Sequence, residues 1–383
     1  MRFEFATANR ILFGAGICNE IPALVASLGC RAFIVTDSRE RVENIIDGLS
    51  KIKISYVIFI IKGEPKIDIV LMAMRSFIET KCDLAIGFGG GSAIDTGKAA
   101  IALAANPGDP LDYLEVVGTG RALEKPSVPY IAIPTTAGTG SEVTRNAVIA
   151  IPEQRIKVSL RSPFLLPRIA VVDSELTYTL PPAVTARTGM DALTQVIEPF
   201  ICNSPTPLTD SICRSGIARA AQSLLNAYQD GTCIVARDNM SLVSLFGGMA
   251  LANARLGAVH GLAGPLGGMY PAPHGCICAA LLPLVMETNL HALRSRQPDS
   301  PALARLMEVA QILTGDTTSS AEDGIAYVFE LCKKMAIRPM GEYGLKSEDF
   351  ASLIVLAQNS SSMKGNPIRL TDRELNGILE KSI

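Results

Sequence analysis

The pattern of apolar residues changes at Pro181-Pro182, and this change limits the possible folds of the chain more than any other feature. Before it, short apolar runs alternate with stretches of helical periodicity, a pattern that predicts a doubly wound, mostly parallel sheet. After it, long segments of helical periodicity follow one another without a convincing strand. Because 383 residues are also too many for one ordinary core, we expect an α/β domain at 1–180 and an all-helical domain at 181–383.

The apolar pattern places the individual elements. The predicted strands are Ala32–Thr36, Tyr56–Ile61, Asp83–Phe88, Val128–Ile133 and Ile169–Val172, with a hairpin formed by Ala147–Ile151 and Ile156–Leu160. The predicted helices are Arg39–Leu49, Lys66–Thr80, Ala183–Cys202, Thr206–Gln229, Asp238–Leu256, Cys276–Leu293, Pro301–Thr314, Ala321–Met335, Ser347–Gln358 and Thr371–Glu380. The segment Phe3–Phe13 is expected to be an edge strand or hairpin suited to pairing between subunits.

Composition excludes several classes of partner. The net charge of −2, with no run of Lys or Arg, gives no reason to expect nucleic acid or an anionic membrane. The nine cysteines are scattered without a CxxC pair, as in reduced intracellular proteins. Because residues 1–5 also lack the apolar core of a signal peptide, we expect a cytoplasmic location.

The segment from Leu256 to Met286 contains no Asp, Glu, Lys or Arg and is long enough to span a bilayer. Its glycines, four prolines and two histidines would break a spanning helix and leave polar groups in lipid. We therefore interpret it as a buried active-site segment and expect no membrane association.

A glycine loop, Gly89-Gly90-Gly91, lies between a predicted strand and a predicted helix. Glycines there let the backbone approach a ligand closely, and the helix dipole favours an anion such as pyrophosphate. Ser92 is expected to cap the helix, with Asp95 completing a capping box. A tight turn without a ligand fits the same residues, because the loop is not a GxGxxG fingerprint.

Two further polar features follow predicted strands. Asp37 ends the strand Ala32–Thr36, where a carboxylate can accept both ribose hydroxyls and repel a 2′-phosphate. A solvent-facing Asp at a strand end is equally consistent with this position. The run Pro134–Glu142 is rich in Thr and Gly, which suits either a polar ligand or a simple turn.

Histidine is rare here, and two of the three histidines lie in the charge-free segment. Asp191 and Gln195 are four residues apart on a predicted helix, and so are His260 and Gly264, so each pair lies on one helix face. His274 follows Pro273, which suggests a helix start or a loop. These residues fit a ligand site, or two buried, hydrogen-bonded histidines beside a structural Asp.

Taken in order, these stretches resemble the iron-containing (group III) alcohol dehydrogenase family, which has a dehydroquinate-synthase-like fold. The resemblance rests on Gly89–Asp95, Pro134–Glu142, Gly189–Gln195 and Gly257–Gly275 and runs nearly end to end. It implies an NAD(H) cofactor, with NADP disfavoured at Asp37. It adds cofactor contacts from Asp95, Thr135, Thr136, Thr139, Asn146 and Lys157 to those expected of the glycine loop and Ser92.

The resemblance also implies a divalent cation, Fe²⁺ or Zn²⁺, held by Asp191, position 195, His260 and His274. The chain departs from the family at Gln195 and Gly264, where the family usually has His. The first is a metal ligand there, and an amide oxygen is a weaker donor than imidazole. The second faces the nicotinamide, so Gly264 opens volume and removes a possible proton-relay group.

The expected function is reversible hydride transfer between NAD(H) and a small, uncharged alcohol or aldehyde, by a homodimer as is common in the family. A cation would hold the substrate oxygen; without one, His260 and His274 would supply hydrogen bonds or a proton. Two alternatives remain open: a metal-independent reductase resembling maleylacetate reductases, and a non-catalytic dinucleotide-binding relative. A lyase resembling dehydroquinate synthase is disfavoured by the dehydrogenase spacing around Asp191 and His260.

Overall fold

The computed structural model describes residues 2–383, which divide into two compact units. Ala6–Thr136 and Gly140–Thr177 form the first unit. Tyr178–Ile383 form the second, together with Ala137–Thr139 and the N-terminal residues up to Phe5. The first unit is α/β and the regular elements of the second are helices, which confirms the predicted fold class.

The first unit is built on a six-stranded parallel sheet with the order β1-β8-β5-β4-β2-β3. The strands are β1 (Arg10–Phe13), β2 (Arg31–Thr36), β3 (Ser55–Ile60), β4 (Leu84–Gly89), β5 (Tyr130–Pro134) and β8 (Ile169–Val172), and the antiparallel hairpin is formed by β6 (Asn146–Ile151) and β7 (Ile156–Arg161). The helices are α1 (Ile21–Ala26), α2 (Glu43–Lys51), α3 (Ile67–Thr80) and α4 (Gly91–Ala105).

Helices cover both faces of this sheet. On one face Ile34 of β2 packs into a cluster with Ile45 and Leu49 of α2. On the other, Phe33 of the same strand meets Phe77 of α3 edge to face, with ring centroids 5.6 Å apart. Because both faces are buried, β2 is apolar at successive positions instead of alternating, which is why it was recognisable as a short continuous run.

The strand order creates a topological switch point beside β2. The chain runs from β2 outward to β3 and then returns to β4 on the opposite side of β2. In open α/β sheets, ligands bind in the crevice at the carboxyl ends of such diverging strands. Here Asp37 follows β2 and the glycine loop follows β4, so the topology brings both to the same edge.

The second unit packs nine helices around one large apolar cluster among the residues described. They are α5 (Pro182–Ile201), α6 (Pro207–Gln229), α7 (Ile234–Asn253), α8 (Ala258–Met269), α9 (His274–Arg296), α10 (Pro301–Thr314), α11 (Ala321–Lys334), α12 (Phe350–Asn359) and α13 (Asp372–Lys381). The predicted helices of this half are confirmed, with ends that differ by up to four residues. His274 is the first residue of α9, which is one of the two alternatives, helix start or loop, that its position after Pro273 allowed.

Two expectations about regular structure need correction. Within Phe3–Phe13 only Arg10–Phe13 form a strand; it is an edge strand as predicted, but it is shorter and pairs in parallel with β8. The prolines of the charge-free segment do not all interrupt helices either. Pro271 and Pro273 lie in the break between α8 and α9, whereas α9 continues through Pro283.

Helix α9 is also long and apolar enough to cross a membrane, and α7 with α8 passes the same test only as a pair bent by 98°. Most of the apolar stretch of α9 is buried inside the structure. Its apolar surface is therefore already covered by protein, as in a core helix.

Candidate cofactor and metal sites

The glycine loop forms a tight turn from β4 into α4. Gly89 has φ of 152°, and a Cβ there would lie 2.7 Å from Cβ of Ala93, so only glycine fits. Gly90 is the N-cap of α4, and no side chain caps the helix. The prediction that Ser92 is the cap and Asp95 its capping-box partner is wrong, since the helix already begins at Gly91. An uncapped N-terminus leaves backbone N–H groups for an anionic ligand.

Asp37 and Thr136 lie beside this loop. The carboxyl carbon of Asp37 is 3.8 Å from where a Cβ of Gly89 would be. The hydroxyl of Thr136 is 3.5 Å from the corresponding point at Gly90. Asp37 is exposed and pairs with Arg41 at 3.1 Å. The hydroxyl of Thr135 is buried and has no hydrogen-bond partner among the described residues, so this edge holds an unsatisfied polar group.

Asp95 has a structural role that the sequence did not reveal. Its buried carboxylate accepts hydrogen bonds from the Ser141 hydroxyl and, at 2.9 Å, from the Val148 N–H. One turn later, the buried Lys98 ammonium donates to the Thr144 carbonyl and hydroxyl, both at 3.0 Å. Burial lowers the pKa of Lys98 to about 8, although Asp95 and Glu142 oppose the shift. These bonds fix the segment 141–148 against α4.

Glu142 belongs to the same buried cluster. Neither of its carboxylate oxygens has a hydrogen-bond partner among the described residues. Burial raises its pKa to about 7, an effect that Lys98 only partly offsets.

The remaining predicted cofactor residues are spread over several elements. Asn146 begins β6, and its carbonyl accepts from Lys98 at 3.3 Å. Lys157 lies on β7 and forms an ion pair with Glu64 at 2.7 Å. Thr139 belongs to the second unit. Cofactor contacts from these residues stay a prediction.

In the second unit, α5, α8 and α9 bring together four potential metal ligands. They are Asp191 from α5, His260 from α8, and His274 and Cys278 from α9, with one donor atom of each lying within 4.8 Å of the others. His260 Nε2 is 3.5 Å and His274 Nε2 is 3.7 Å from Asp191 Oδ1. The Sγ of Cys278 is 3.9 Å from His260 Nε2 and 3.6 Å from His274 Nε2.

This arrangement fits a cation better than a hydrogen-bonded cluster. Asp191 Oδ1 is buried and makes no hydrogen bond within residues 2–383, although two imidazoles face it. Metal–ligand bonds of about 2.0–2.3 Å in a tetrahedron place neighbouring donor atoms about 3.3–3.6 Å apart. The four measured separations lie at or slightly above that range, so the side chains need only small movements to close on an ion.

Glu198 holds the His260 ring in the orientation that such a site needs. Its Oε2 is 2.6 Å from His260 Nδ1, and its Oε1 accepts from the Val259 N–H at 2.8 Å. A proton on Nδ1 that is donated to Glu198 leaves the lone pair of Nε2 directed at Asp191 and Cys278. A carboxylate behind a ligating histidine typically fixes its tautomer and raises its basicity.

The titratable groups of the cluster shift one another's pKa values. Burial works against ionisation, yet the pKa of Asp191 is lowered because His274 and His260 face it. The pKa of His260 is raised despite burial, because Cys278, Asp191 and Glu198 surround it. Burial raises the pKa of the Cys278 thiol to about 12.

Comparison with known proteins identifies this architecture. Residues 8–174 match the iron-containing alcohol dehydrogenase family, and residues 185–383 match the C-terminal part of the Fe-containing alcohol dehydrogenase family. The chain belongs to the iron-containing alcohol dehydrogenase family. It is accordingly an oxidoreductase that acts on CH–OH groups.

Three relatives illustrate the match. Alcohol dehydrogenase 4 of Saccharomyces cerevisiae is 37% identical over 319 residues, which cover 83% of this chain and 80% of that protein. The crystal structure of a 1,3-propanediol oxidoreductase has a TM-score of 0.92 at 31% identity and covers all of both chains. A sulfoacetaldehyde reductase from Bifidobacterium kashiwanohense, solved with NAD⁺, has a TM-score of 0.87 at 26% identity, with coverage of 100% and 99%.

The two departures from the family pattern have distinct surroundings. Gln195 is buried, and its amide nitrogen donates to the Gly138 carbonyl at 2.8 Å. This contact gives Gln195 a role in holding the segment 137–139, and its service as a ligand stays a prediction. Gly264 lies on α8, where an added Cβ would meet nothing within 4 Å. The point at which a side chain would leave the backbone of Gly264 is therefore open among the described residues.

Sequence reasoning missed Glu198 and Cys278. Glu198 lies seven residues after Asp191, and Cys278 lies four residues after His274, so both share a helix face with a predicted ligand. The sequence did contain a signal, namely the helical spacing of each residue from a predicted ligand. It was not decisive, because other polar residues also share those helix faces.

Close packing at Gly275 places α9 against α5. A Cβ at Gly275 would lie 2.1 Å from the Arg187 carbonyl oxygen, which is backbone and cannot turn aside. Gly275→Ala should therefore push His274 and Cys278 away from Asp191. We expect a loss of about 1–3 kcal/mol in the free energy of unfolding and reduced binding of divalent cations, measured by denaturant titration and elemental analysis.

The matched control for this prediction is Gly377→Ala on α13, where an added Cβ meets nothing within 4 Å. It should keep the metal content of the wild type and be at least as stable, because Ala is a better helix former than Gly. Equal metal content and stability in Gly275→Ala would show that this contact does not set the site geometry.

Proposed function

We propose that this family member catalyses reversible hydride transfer between NAD(H) and a small, uncharged alcohol or aldehyde. The observation that carries the proposal is the buried Asp191 Oδ1, which lacks a hydrogen bond among residues 2–383 and faces Nε2 of both His260 and His274. A cation held by this cluster would stabilise an alcohol oxygen that gains negative charge as hydride leaves its carbon. The names of the relatives, which include a propanediol oxidoreductase, support the substrate class.

For the cofactor we propose NAD. The uncapped N-terminus of α4 presents N–H groups to a pyrophosphate, and the adjacent Asp37 accepts hydrogen bonds from ribose hydroxyls. A negative carboxylate at this point also repels a 2′-phosphate. The NAD⁺ complex of the related sulfoacetaldehyde reductase supports the same assignment.

We further propose that Asp191, His260 and His274 hold an iron or zinc ion. When bound, the ion supplies a positive charge that stabilises the developing alkoxide. Glu198 keeps the His260 ring in place, and the packing at Gly275 keeps His274 beside Asp191. The His274 side chain is 36% exposed whereas that of Asp191 is 4% exposed, so substrate reaches the cluster from the His274 side.

For the assembled protein we propose a cytoplasmic homodimer. Strand β1 is at the edge of the sheet, and Phe13 at its end is exposed, as is Phe3. An unpaired edge with exposed aromatic side chains is suited to pairing with a second copy. All nine cysteines are free in the structure, which supports a reducing compartment.

The test is NADH oxidation with a panel of small aldehydes, measured before and after chelation and metal restoration. Asp191→Asn keeps the side-chain shape and removes the charge, and the exposed Asp299→Asn is its control. We expect turnover to fall by at least about a hundredfold in Asp191→Asn, equivalent to about 2.7 kcal/mol, while NADH binding persists. Activity that survives both chelation and Asp191→Asn would indicate a metal-independent reductase. NADH binding without turnover of any aldehyde would indicate a non-catalytic relative.

Another prediction concerns cofactor choice. Asp37→Gly should raise kcat/KM for NADPH relative to NADH by about tenfold, because it removes a carboxylate that repels the 2′-phosphate. The change also releases Arg41 from its 3.1 Å ion pair. The double variant Asp37→Gly/Arg41→Ala should show a smaller increase in kcat/KM for NADPH. The difference between the two variants separates the loss of repulsion by Asp37 from a new attraction by Arg41. A wild type that already prefers NADPH would refute the assignment of Asp37.

The third prediction concerns the open space at Gly264. Gly264→His should fold normally, since an added Cβ meets nothing within 4 Å and helix propensity improves by roughly 0.5 kcal/mol. The imidazole should lower kcat/KM for long-chain aldehydes more than for acetaldehyde, because it occupies pocket volume. An equal effect on all chain lengths would show that Gly264 does not set substrate size.

A further inference from the structure

The ligand set at Asp191 lacks one histidine of the family pattern, and another side chain of this protein lies close enough to replace it. A histidine is missing at position 195, and the Gln195 amide nitrogen is engaged with the Gly138 carbonyl. The fourth residue of the Asp, Glu, His and Cys side chains that cluster here is Cys278. It lies one helical turn after His274 on α9, on the same face, and is buried.

The Cys278 sulfur lies at or slightly beyond the distances expected between two ligands of one metal ion. Sγ is 3.6 Å from His274 Nε2 and 3.9 Å from His260 Nε2. A tetrahedral site with bonds of about 2.3 Å to sulfur and 2.0–2.1 Å to nitrogen gives S–N separations of about 3.5–3.6 Å. A second observation points to a cation independently of the cysteine: Asp191 Oδ1 is buried without a hydrogen bond in the described part of the chain.

We propose that Cys278 is the fourth protein ligand, so that the donors are one carboxylate, two imidazoles and one thiolate. The inference rests on the proposed function only in placing a cation at Asp191. Binding replaces the thiol proton, which leaves to solvent, by a metal–sulfur bond. Because thiolate is a softer donor than imidazole, the site should select zinc over ferrous iron.

The experiment uses the full-length protein with Co²⁺ as a spectroscopic probe and Zn²⁺ as a competitor. Wild type loaded with cobalt should show an intense thiolate-to-cobalt charge-transfer absorption in the near ultraviolet. Cys278→Ser, a change of one atom, should lose that absorption and bind zinc at least about tenfold more weakly. The control is Cys276→Ser, two residues earlier on the same helix and outside the cluster, which should keep both properties.

The wild-type spectrum makes the inference falsifiable even if Cys278→Ser fails to fold. Stoichiometric cobalt binding without a charge-transfer band would overturn it, and so would an unchanged band in folded Cys278→Ser. Neither result would contradict the proposed function, since Asp191, His260 and His274 would still hold the ion. Conversely, a thiolate-bound metal in a protein that turns over no alcohol or aldehyde would support the ligand and refute the function.

Discussion

The buried carboxylate of Asp191 is the constraint on which the arrangement of the helical unit depends. A buried acceptor without a hydrogen bond costs about 1–3 kcal/mol, and more when it is charged. Here that cost is retained, with both imidazole Nε2 atoms 3.5–3.7 Å from Asp191 Oδ1 and the Cys278 sulfur 3.6–3.9 Å from these nitrogens. A cation in the place of the missing hydrogen-bond partner of Asp191 would stabilise such a cluster. The neighbouring helices then act as a frame that keeps the metal-donor atoms apart.

Glycines make this frame possible. Gly275 lets α9 approach the Arg187 carbonyl, and a Cβ at Gly257, the N-cap of α8, would lie 2.7 Å from Glu198 Oε1. The close approach at Gly257 allows Glu198 to accept from the Val259 N–H while it orients the His260 ring. A carboxylate at a helix N-terminus is also stabilised by the helix dipole. The glycine-rich, charge-free character of the segment from Leu256 to Met286 thus reflects helices packed closely around a polar centre.

The sequence predicted the larger features because they depend on local patterns. The apolar run of β2 and the alternation around it determine a parallel sheet, and Pro273 marks the start of α9. The cap at α4 was wrongly assigned to Ser92 because the exact end of a strand depends on pairing: β4 runs to Gly89 beside Pro134. Cys278 and Glu198 were missed for a related reason. Spacing shows which residues share a helix face, but only tertiary packing decides which faces of α5, α8 and α9 converge.

X-ray absorption at the metal edge of the zinc-loaded, wild-type protein tests the proposed metal site most directly. The spectrum should show one sulfur at about 2.3 Å together with nitrogen and oxygen ligands at about 2.0–2.2 Å, including scattering from two imidazoles. A shell of nitrogen and oxygen alone, or one without imidazole, would contradict the assignment of Asp191, His260, His274 and Cys278 as a single metal site.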